Sequence, residues 1–464
     1  MLDRRTFMQA GSATTLAFLG LRRLVHGEDT VAVTGDPLIK DPHRTLDLPE
    51  GFEYVIFSRH GQEMDDGFLV PGLHDGMGAF AAPDGSTILV RNHELGNELH
   101  PRYGPFGWQN QLLERIDPAK IYDRGHGRTP ALGGTTTLVY DTKMRRLRQH
   151  FLSCAGTGRN CAGGITPWGS WITCEEWTAR KDKNCQEDHG YCFEVPANDR
   201  MELATPIPIR GMGRFNHEAI AIDPATGIVY LTEDRKDGLF YRFIPKTPGR
   251  LLEGGRLQAL AAIDRDSIDT RNWLENQPQI QVNDTIPVRW MDLDQIDSPL
   301  DDLRHRGHAG GAAVFARGEG IWTGSDGIYM ATTTGGPAKL GQIWKYVPSS
   351  DEGTGAEASS PGTISLFVEP NDPRLVRNAD NLTIAPWGDL FICEDADGPV
   401  APEGNRVIRV TRDGTIQPFA MSRLGKTELA GICFSPDGST LFFNMQQAGA
   451  TVAVTGPWNR YSSG

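Results

Sequence analysis

The chain has 464 residues, with 46 Lys and Arg against 59 Asp and Glu, which gives a net charge of −13. This acidic balance argues against nucleic acid or an anionic membrane surface as the main partner, because both attract basic proteins. The length fits two or three ordinary domains, but repeated all-β folds reach it as single units. Internal repeats therefore decide the domain organisation.

The N-terminus has the organisation of an export signal. Arg4 and Arg5 precede an apolar run from Ala10 to Leu21, which is too short to span a bilayer. The paired arginines match the twin-arginine pattern, although an ordinary secretory signal or a basic arm is an alternative. We expect residues 1–28 to be a twin-arginine signal peptide that engages the export machinery in transit. The mature protein would then be periplasmic or extracellular, without integral membrane contact.

The seven cysteines show neither Cys-x-x-Cys pairs nor zinc-ribbon spacing. Cys185 and Cys192 are near enough in sequence for a local disulfide in an oxidising compartment, although this spacing is weak support. The sequence therefore does not indicate a disulfide framework.

Short β-branched and aromatic runs separated by Pro, Gly and Asp predict an all-β fold. One unit occurs six times: a turn ending in Gly, a short apolar strand, and a polar residue six places after the Gly. These polar residues are Arg91, Glu175, Glu233, Thr333, Glu394 and Asn444. Such repeats are typical of propeller blades, so we expect residues 29–464 to form one six-bladed β-propeller with loop insertions.

Polar residues also occur just before the first strand of most units. Because an antiparallel hairpin begins and ends at the same edge, both sets would meet at one mouth of the central channel. Crowded carboxylates need cations between them. Oxygen ligands suit calcium, whereas a thiolate with carboxylates suits iron or another transition metal. The predicted metal ligands are Glu94, Cys161, Glu175, Glu218, Glu233, Glu319, Glu394 and Glu428.

A simpler interpretation treats each of these acids as a solvated turn residue at a blade edge. Recurrence at one repeat position favours the metal site over that interpretation. His93 and His217 each precede a Glu. As single histidines they are predicted to be structural or to support a ligand, rather than to bind metal themselves.

Several sequence blocks resemble PhoX-type alkaline phosphatases. They begin at Asn160, Arg214, Arg317, Asp380 and Glu428 and read NCAGGITPWGSWITCEE, RFNHE, RGEG, DNL and ELAGICFSPDG. The resemblance implies a six-bladed propeller, twin-arginine export, and a cluster of Fe3+ and Ca2+ ions that hydrolyses phosphomonoesters. By matching position, Cys161 looks like the iron-binding thiolate. The chain departs from larger family members at Thr232–Arg235, where they have Gly-Asp-Asp, and its insertions are short, so a compact subgroup with another substrate is an open alternative.

The chemistry predicted from these patterns is metal-assisted phosphoryl transfer on small phosphorylated substrates. No arrangement of a seryl or histidyl nucleophile is recognisable in the sequence, so catalytic side chains stay unassigned and a metal-bound oxygen is the expected nucleophile. Arg214 and Arg235 lie beside ligand candidates and could bind phosphate, or could equally be surface ion-pair partners.

Two other functions remain open from the sequence. One is a calcium-dependent, lactonase-like propeller hydrolase, which would have no use for the thiolate of Cys161. The other is a non-catalytic binding propeller in which metals only stabilise the blades.

Overall fold

The computed structural model describes residues 35–274, 279–397 and 400–462, so the predicted signal peptide at residues 1–28 lies outside the described residues. The strands are β1 (Leu38–Ile39), β2 (Leu46–Pro49), β3 (Glu53–Arg59), β4 (His74–Ala81), β5 (Thr87–His93), β6 (Gly133–Asp141), β7 (Arg146–Thr157), β8 (Asn160–Ile165), β9 (Ser170–Glu175), β10 (Cys192–Pro196), β11 (His217–Ile222), β12 (Val229–Glu233), β13 (Phe240–Pro245), β14 (Gly255–Ala262), β15 (Thr285–Asp292), β16 (Gly318–Thr323), β17 (Ile328–Thr332), β18 (Gln342–Val347), β19 (Thr363–Val368), β20 (Ala379–Ile384), β21 (Leu390–Glu394), β22 (Arg406–Val410), β23 (Ile416–Ser422), β24 (Leu429–Phe434), β25 (Thr440–Met445) and β26 (Ala450–Thr455).

Helices are few and short in this part of the chain. The α-helical segments are α1 (Gly125–Arg128) and α2 (Leu303–Ala309), and the 3-10 turns are Pro101–Tyr103, Leu113–Arg115, Pro118–Lys120, Arg210–Met212, Leu251–Glu253, Glu357–Ser359 and Trp458–Arg460. Among the described residues, no helix has the length and apolar character needed to cross a membrane.

Within residues 35–274, 279–397 and 400–462 the strands form five antiparallel sheets. Their orders are β4-β5-β6-β7, β8-β9-β10, β11-β12-β13-β14-β15-β19-β18-β17-β16, β20-β21-β22-β23-β2-β1 and β24-β25-β26-β3. The long sheet arises because β15 pairs with both β14 and β19. The N-terminal strands β2 and β3 pair with β23 and β26, so the two ends of the chain complete shared sheets.

The first strands of the six repeated hairpins lie next to one another. Strands β4, β8, β11, β16, β20 and β24 contact their neighbours in a closed cycle, in which β24 returns to β4. The fold is therefore all-β with a propeller-like arrangement, which confirms the predicted class.

Apolar side chains pack between neighbouring sheets and hold this cycle together. Ile172 of β9 and Ile220 of β11 share one cluster, and Phe391 of β21 and Ile432 of β24 share another. Burying each such side chain contributes about 1.5–3 kcal/mol.

Glycine allows the inner strands to approach closely. A Cβ atom on Gly76 would lie 2.4 Å from Ala162 Cα, and one on Gly320 would lie 2.8 Å from Asn381 Cα. Since both distances are shorter than a van der Waals contact, a side chain at either position would push the inner strands apart. Both glycines directly follow acidic residues near the strand ends, so the close approach also brings Asp75 towards Cys161 and Glu319 towards Asp380.

Candidate metal centre

The register of the six inner hairpins fixes which side chains meet. At the common edge of these hairpins, the paired residues are His74 with His93, Asn160 with Glu175, His217 with Glu233, Gly318 with Thr332, Ala379 with Glu394, and Leu429 with Met445. Because successive side chains in a strand point to opposite faces, the next residue on each strand faces the other way.

We call these next residues the mouth residues. On the first strands they are Asp75, Cys161, Glu218, Glu319, Asp380 and Ala430, and after the second strands they are Glu94, Glu176, Asp234, Thr333, Asp395 and Gln446. We call the last residues of the second strands the rear residues: His93, Glu175, Glu233, Thr332, Glu394 and Met445.

Ligand atoms of the mouth residues converge in overlapping groups. Potential ligand atoms lie within 4.8 Å of one another in Asp75, Glu94 and Cys161, in Cys161, Glu176 and Glu218, and in Glu218, Glu319 and Asp380. The Cys161 thiol donates to Glu176 Oε2 at 3.0 Å, and Gln446 Nε2 donates to Asp75 Oδ2 at 2.7 Å. The groups share Cys161 and Glu218, so they form one continuous cluster.

Burial and mutual repulsion dominate the electrostatics of this cluster. Burial, followed by neighbouring carboxylates, raises the pKa values of Asp75, Glu218 and Glu428 well above their ordinary range. Glu218 is only 3% exposed, and the charges acting on its carboxylate come from other carboxylates, led by Glu176. Burial likewise raises the pKa of Asp395 to about 8. Bound cations would remove this repulsion.

The donor set of the cluster fits two kinds of cation. Glu218, Glu319 and Asp380 offer only oxygen atoms, which suit a hard cation such as calcium. The groups that contain Cys161 add a soft sulfur ligand, which suits a transition metal.

Arg159 and Arg317 form ion pairs with mouth residues. Arg159 Nη2 is 2.5 Å from Glu94 Oε1 and 3.2 Å from Glu176 Oε2, while Arg317 Nη2 is 3.0 Å from Glu319 Oε1. Both have a left-handed backbone, with φ of 46° and 57°. A non-glycine residue in this conformation carries about 1–3 kcal/mol of backbone strain.

Glu175 was predicted as a metal ligand at the mouth, but the structure turns it to the rear. Its Oε1 accepts from Gly158 N at 2.9 Å and lies 2.6 Å from His189 Nδ1, and its Oε2 accepts from Gly190 N at 2.8 Å. Burial lowers the pKa of His189, but Glu175 and Asp123 outweigh this effect and raise it to about 9. Protein groups therefore satisfy Glu175 without a cation of the mouth cluster.

Glu233 and Glu394 are also rear residues and also lie apart from the cluster. Glu233 Oε2 accepts from the Tyr241 hydroxyl at 2.7 Å, and burial raises its pKa to about 7. Glu394 is bound by two guanidinium groups, with Arg377 Nη2 at 2.7 Å from its Oε2 and Arg406 Nη2 at 2.6 Å from its Oε1. The structure therefore gives both acids local partners instead of the predicted place at the mouth.

The predicted phosphate-binding arginines have partners outside the cluster. Arg214 is almost fully buried and donates to the carbonyl groups of Ser298, Thr178 and Ala179. Arg235 Nη2 donates to Asp301 Oδ2 at 3.4 Å. The Arg214 guanidinium is therefore bound by backbone carbonyls, and the Arg235 guanidinium is bound by Asp301, so both side chains have structural partners.

The local disulfide considered for Cys185 and Cys192 is not formed in the structure. Cys185 and Cys192, the local pair considered above, are both free thiols. Cys192 instead lies opposite Cys174 on paired strands, with the two Sγ atoms 3.5 Å apart. The register of β9 and β10, rather than sequence distance, decides which thiols meet.

Residues 33–449 match the family described as Alkaline phosphatase PhoX. The chain belongs to the PhoX alkaline phosphatase family. It is therefore a metal-dependent phosphatase, as the sequence blocks implied. No curated protein sequence matches the chain.

A solved structure with a TM-score of 0.65 has the same fold. Pseudomonas fluorescens PhoX in complex with vanadate, a transition state analogue, is 19% identical with a TM-score of 0.65, over 94% of this chain and 98% of that chain. A gluconolactonase from Xanthomonas campestris, XC5397, is 10% identical with a TM-score of 0.39, over 92% of this chain and 99% of that chain.

Sequence reasoning missed several mouth residues of this PhoX family member. Glu176, Asp234 and Asp395 each follow a predicted ligand directly, in the pairs Glu175-Glu176, Glu233-Asp234 and Glu394-Asp395. His93-Glu94 is the equivalent pair in the first hairpin. Aligning the repeats on this pair, instead of counting from each Gly turn, would have selected the second residue in every hairpin. Asp75 carried no such signal, because no predicted unit begins with it.

Proposed function

We propose that the chain hydrolyses phosphomonoesters at the mouth cluster, using Ca2+ and Fe3+. The observation that carries this proposal is the convergence of one thiol with carboxylates at equivalent strand ends around the closed cycle of inner strands. Neither a solvated turn nor an all-oxygen calcium site accounts for a buried thiol among buried acids.

The donor chemistry suggests how the ions divide. Cys161, with Glu176 and Glu218 beside it, would hold iron, and Asp75 and Glu94 on the other side of Cys161 complete that half of the cluster. Glu319 and Asp380, together with Glu428, whose side chain is hydrogen-bonded to that of Asp380, offer only oxygens and would hold calcium. Bound ions would offset the negative charge of the phosphoryl group and activate water for its attack.

Arg159 and Arg317 would bind the phosphate oxygens of the substrate. Each guanidinium is partly exposed and paired with mouth carboxylates, so each is held at the edge of the cluster and remains accessible. Arginine suits this role because its planar group can donate two parallel hydrogen bonds to one phosphate. The chain's own contribution is then to fix the substrate between two arginines and the metal ligands.

We further propose that the propeller has six blades and that residues 29–464 form this single domain. The closed cycle of inner strands supports the count, because the nine-stranded sheet contributes two of them, β11 and β16. The pairing of β2 and β3 with strands near the C-terminus supports a single unit.

The proposal includes export of the folded protein by the twin-arginine route. Arg4 and Arg5 before the apolar run support it, and a pathway for folded proteins suits an enzyme that carries metal. The substrates would be small phosphorylated molecules outside the cytoplasm. The net charge of −13 gives no support to a nucleic-acid partner.

One experiment tests the activity and the metal assignment together. The purified protein is analysed for iron and calcium and assayed with p-nitrophenyl phosphate, alongside the Cys161→Ser variant. We expect both metals in the parent, and loss of iron and of most turnover in Cys161→Ser. Unchanged iron in that variant would refute the role of Cys161, and metal without turnover in the parent would favour a non-catalytic propeller. Hydrolysis of a lactone in place of the phosphate ester would favour the lactonase-like alternative.

A further inference from the structure

A second group of potential metal ligands lies behind the mouth cluster. Asp123, Cys185 and His189 are all buried, and one ligand atom from each lies within 4.8 Å of the others. His189 Nε2 is 3.1 Å from Asp123 Oδ2, and Asn97 Nδ2 approaches Cys185 Sγ at 3.9 Å. This group differs chemically from the mouth cluster because it combines one nitrogen, one sulfur and one oxygen ligand.

We propose that Asp123, Cys185 and His189 form a zinc site that fastens together two long connections of the fold. Zinc is bound by histidine nitrogen, cysteine sulfur and carboxylate oxygen at about 2.0–2.3 Å, which places neighbouring ligand atoms roughly 3–4 Å apart. The spacing between Asp123 and His189 already falls in this range. The fourth ligand would be Asn97, whose Oδ1 is buried without a hydrogen-bond partner in the described part of the chain, or a water molecule.

The surroundings of His189 favour a ligand role for its Nε2 atom. Glu175 Oε1 lies 2.6 Å from Nδ1 on the opposite side of the ring. A carboxylate that accepts from one ring nitrogen orients the other toward a metal and makes it a better ligand. The Trp177 ring lies against the imidazole, with centroids 4.4 Å apart, and Tyr122 meets it edge-on. The ring therefore has one fixed orientation.

The three ligands come from segments with little regular structure. Asp123 lies in the connection between β5 and β6, and Cys185 and His189 lie in the connection between β9 and β10. The Asp182 carboxylate accepts from Cys185 N at 2.7 Å and so fixes the turn that presents the thiol. Since the second connection begins at Glu176, a zinc ion here would also restrain a residue of the mouth cluster.

The test measures zinc in the full-length protein. The metal-free chain is titrated with ZnCl2 against a chromogenic chelator, and in parallel with Co2+, whose bond to a thiolate gives an ultraviolet charge-transfer band. We expect Cys185→Ala to lower zinc affinity by more than about 100-fold, and Glu175→Gln to lower it by about 10- to 100-fold, as for other residues that orient a ligand. Cys433→Ala, which removes a buried thiol in the core, should keep both the affinity and the band.

A second thiol-containing site could also take up cobalt, so Cys161→Ser separates the two. The zinc affinity and the cobalt band of the Cys185 site should be retained in Cys161→Ser and lost in the double variant Cys161→Ser/Cys185→Ala. Asp123→Asn serves as an independent variant if Cys185→Ala does not fold. The proposal would be overturned if the parent chain does not bind zinc at this site, or if zinc affinity is unchanged in both Cys185→Ala and Asp123→Asn. In that case His189 would be a charged bridge between Glu175 and Asp123.

Discussion

The mouth residues and the rear residues lie one position apart on the same strands, yet their buried carboxylates have neighbours of opposite charge. Glu394 at the rear is held by the guanidinium groups of Arg377 and Arg406. Glu218 at the mouth is as deeply buried, but the charges around it belong to other acids. The first arrangement is complete without a ligand, whereas the second requires cations.

This difference shows that burial alone does not identify a functional carboxylate. Both sets contain buried acids, so exposure does not distinguish them. The sign of the neighbouring charges does distinguish the two sets. A carboxylate surrounded by other carboxylates is stabilised by a bound cation, whereas one that is already paired with guanidinium groups does not need it. The following predictions test that distinction.

Removing calcium should have the largest effect. EGTA should reduce phosphatase activity to background and lower the melting temperature, because the mouth carboxylates would then repel one another. Added calcium should restore both properties. EGTA already saturated with calcium is the matched control and should change neither. Full activity and an unchanged melting temperature in the stripped protein would show that calcium does not bind at the mouth.

The next largest effect is expected from Glu218→Gln, compared with Glu233→Gln on the same hairpin. Loss of a ligand charge at Glu218 should lower metal content and reduce kcat/KM by about 100-fold or more, beyond the usual effect of losing a supporting group. Glu233→Gln retains an oxygen acceptor for the Tyr241 hydroxyl and should change kcat/KM by less than about threefold, since Glu233 lies outside the cluster. Equal losses in the two variants would contradict the division into mouth and rear residues.

Substitution of Glu394 should change stability instead of catalysis. Glu394→Gln leaves two buried guanidinium groups without a full counter-charge and should cost about 3–5 kcal/mol of unfolding free energy. Denaturant titration measures this loss, while turnover per folded molecule should be retained. The neighbouring Asp395→Asn should lower turnover and change the unfolding free energy of the metal-free protein by about 1 kcal/mol or less. The reverse pattern would place Glu394 in the active cluster.

The smallest effect concerns substrate binding by the two arginines. Arg317→Lys and Arg159→Lys should each raise KM for a phosphomonoester by about 10-fold, because lysine cannot donate two parallel hydrogen bonds. Arg214→Lys should leave KM unchanged and lower stability, because Arg214 binds backbone carbonyls. An increase in KM that is confined to Arg214→Lys would restore the assignment made from sequence.

Much of the fold could be predicted from the sequence because its signals are local. The Gly turns and the short apolar strands indicate hairpins, and these hairpins occur as β4-β5, β8-β9 and their equivalents. The joining of two hairpins into one long sheet through β15 could not be predicted, because it depends on which distant edges meet. The same limit applies to Cys174 and Cys192, which only strand pairing brings together.

The sequence by itself determined the strand repeat, the recurrence of acids at strand ends, and the family blocks around Cys161 and Glu218. The tertiary structure alone decided which acid of each adjacent pair faces the channel. A strand places successive side chains on opposite faces, so an error of one residue in register exchanges the two sets completely. The tertiary structure also decided which charges are neighbours. These neighbours determine whether a buried acid is already paired, as Glu394 is, or needs a cation, as Glu218 does.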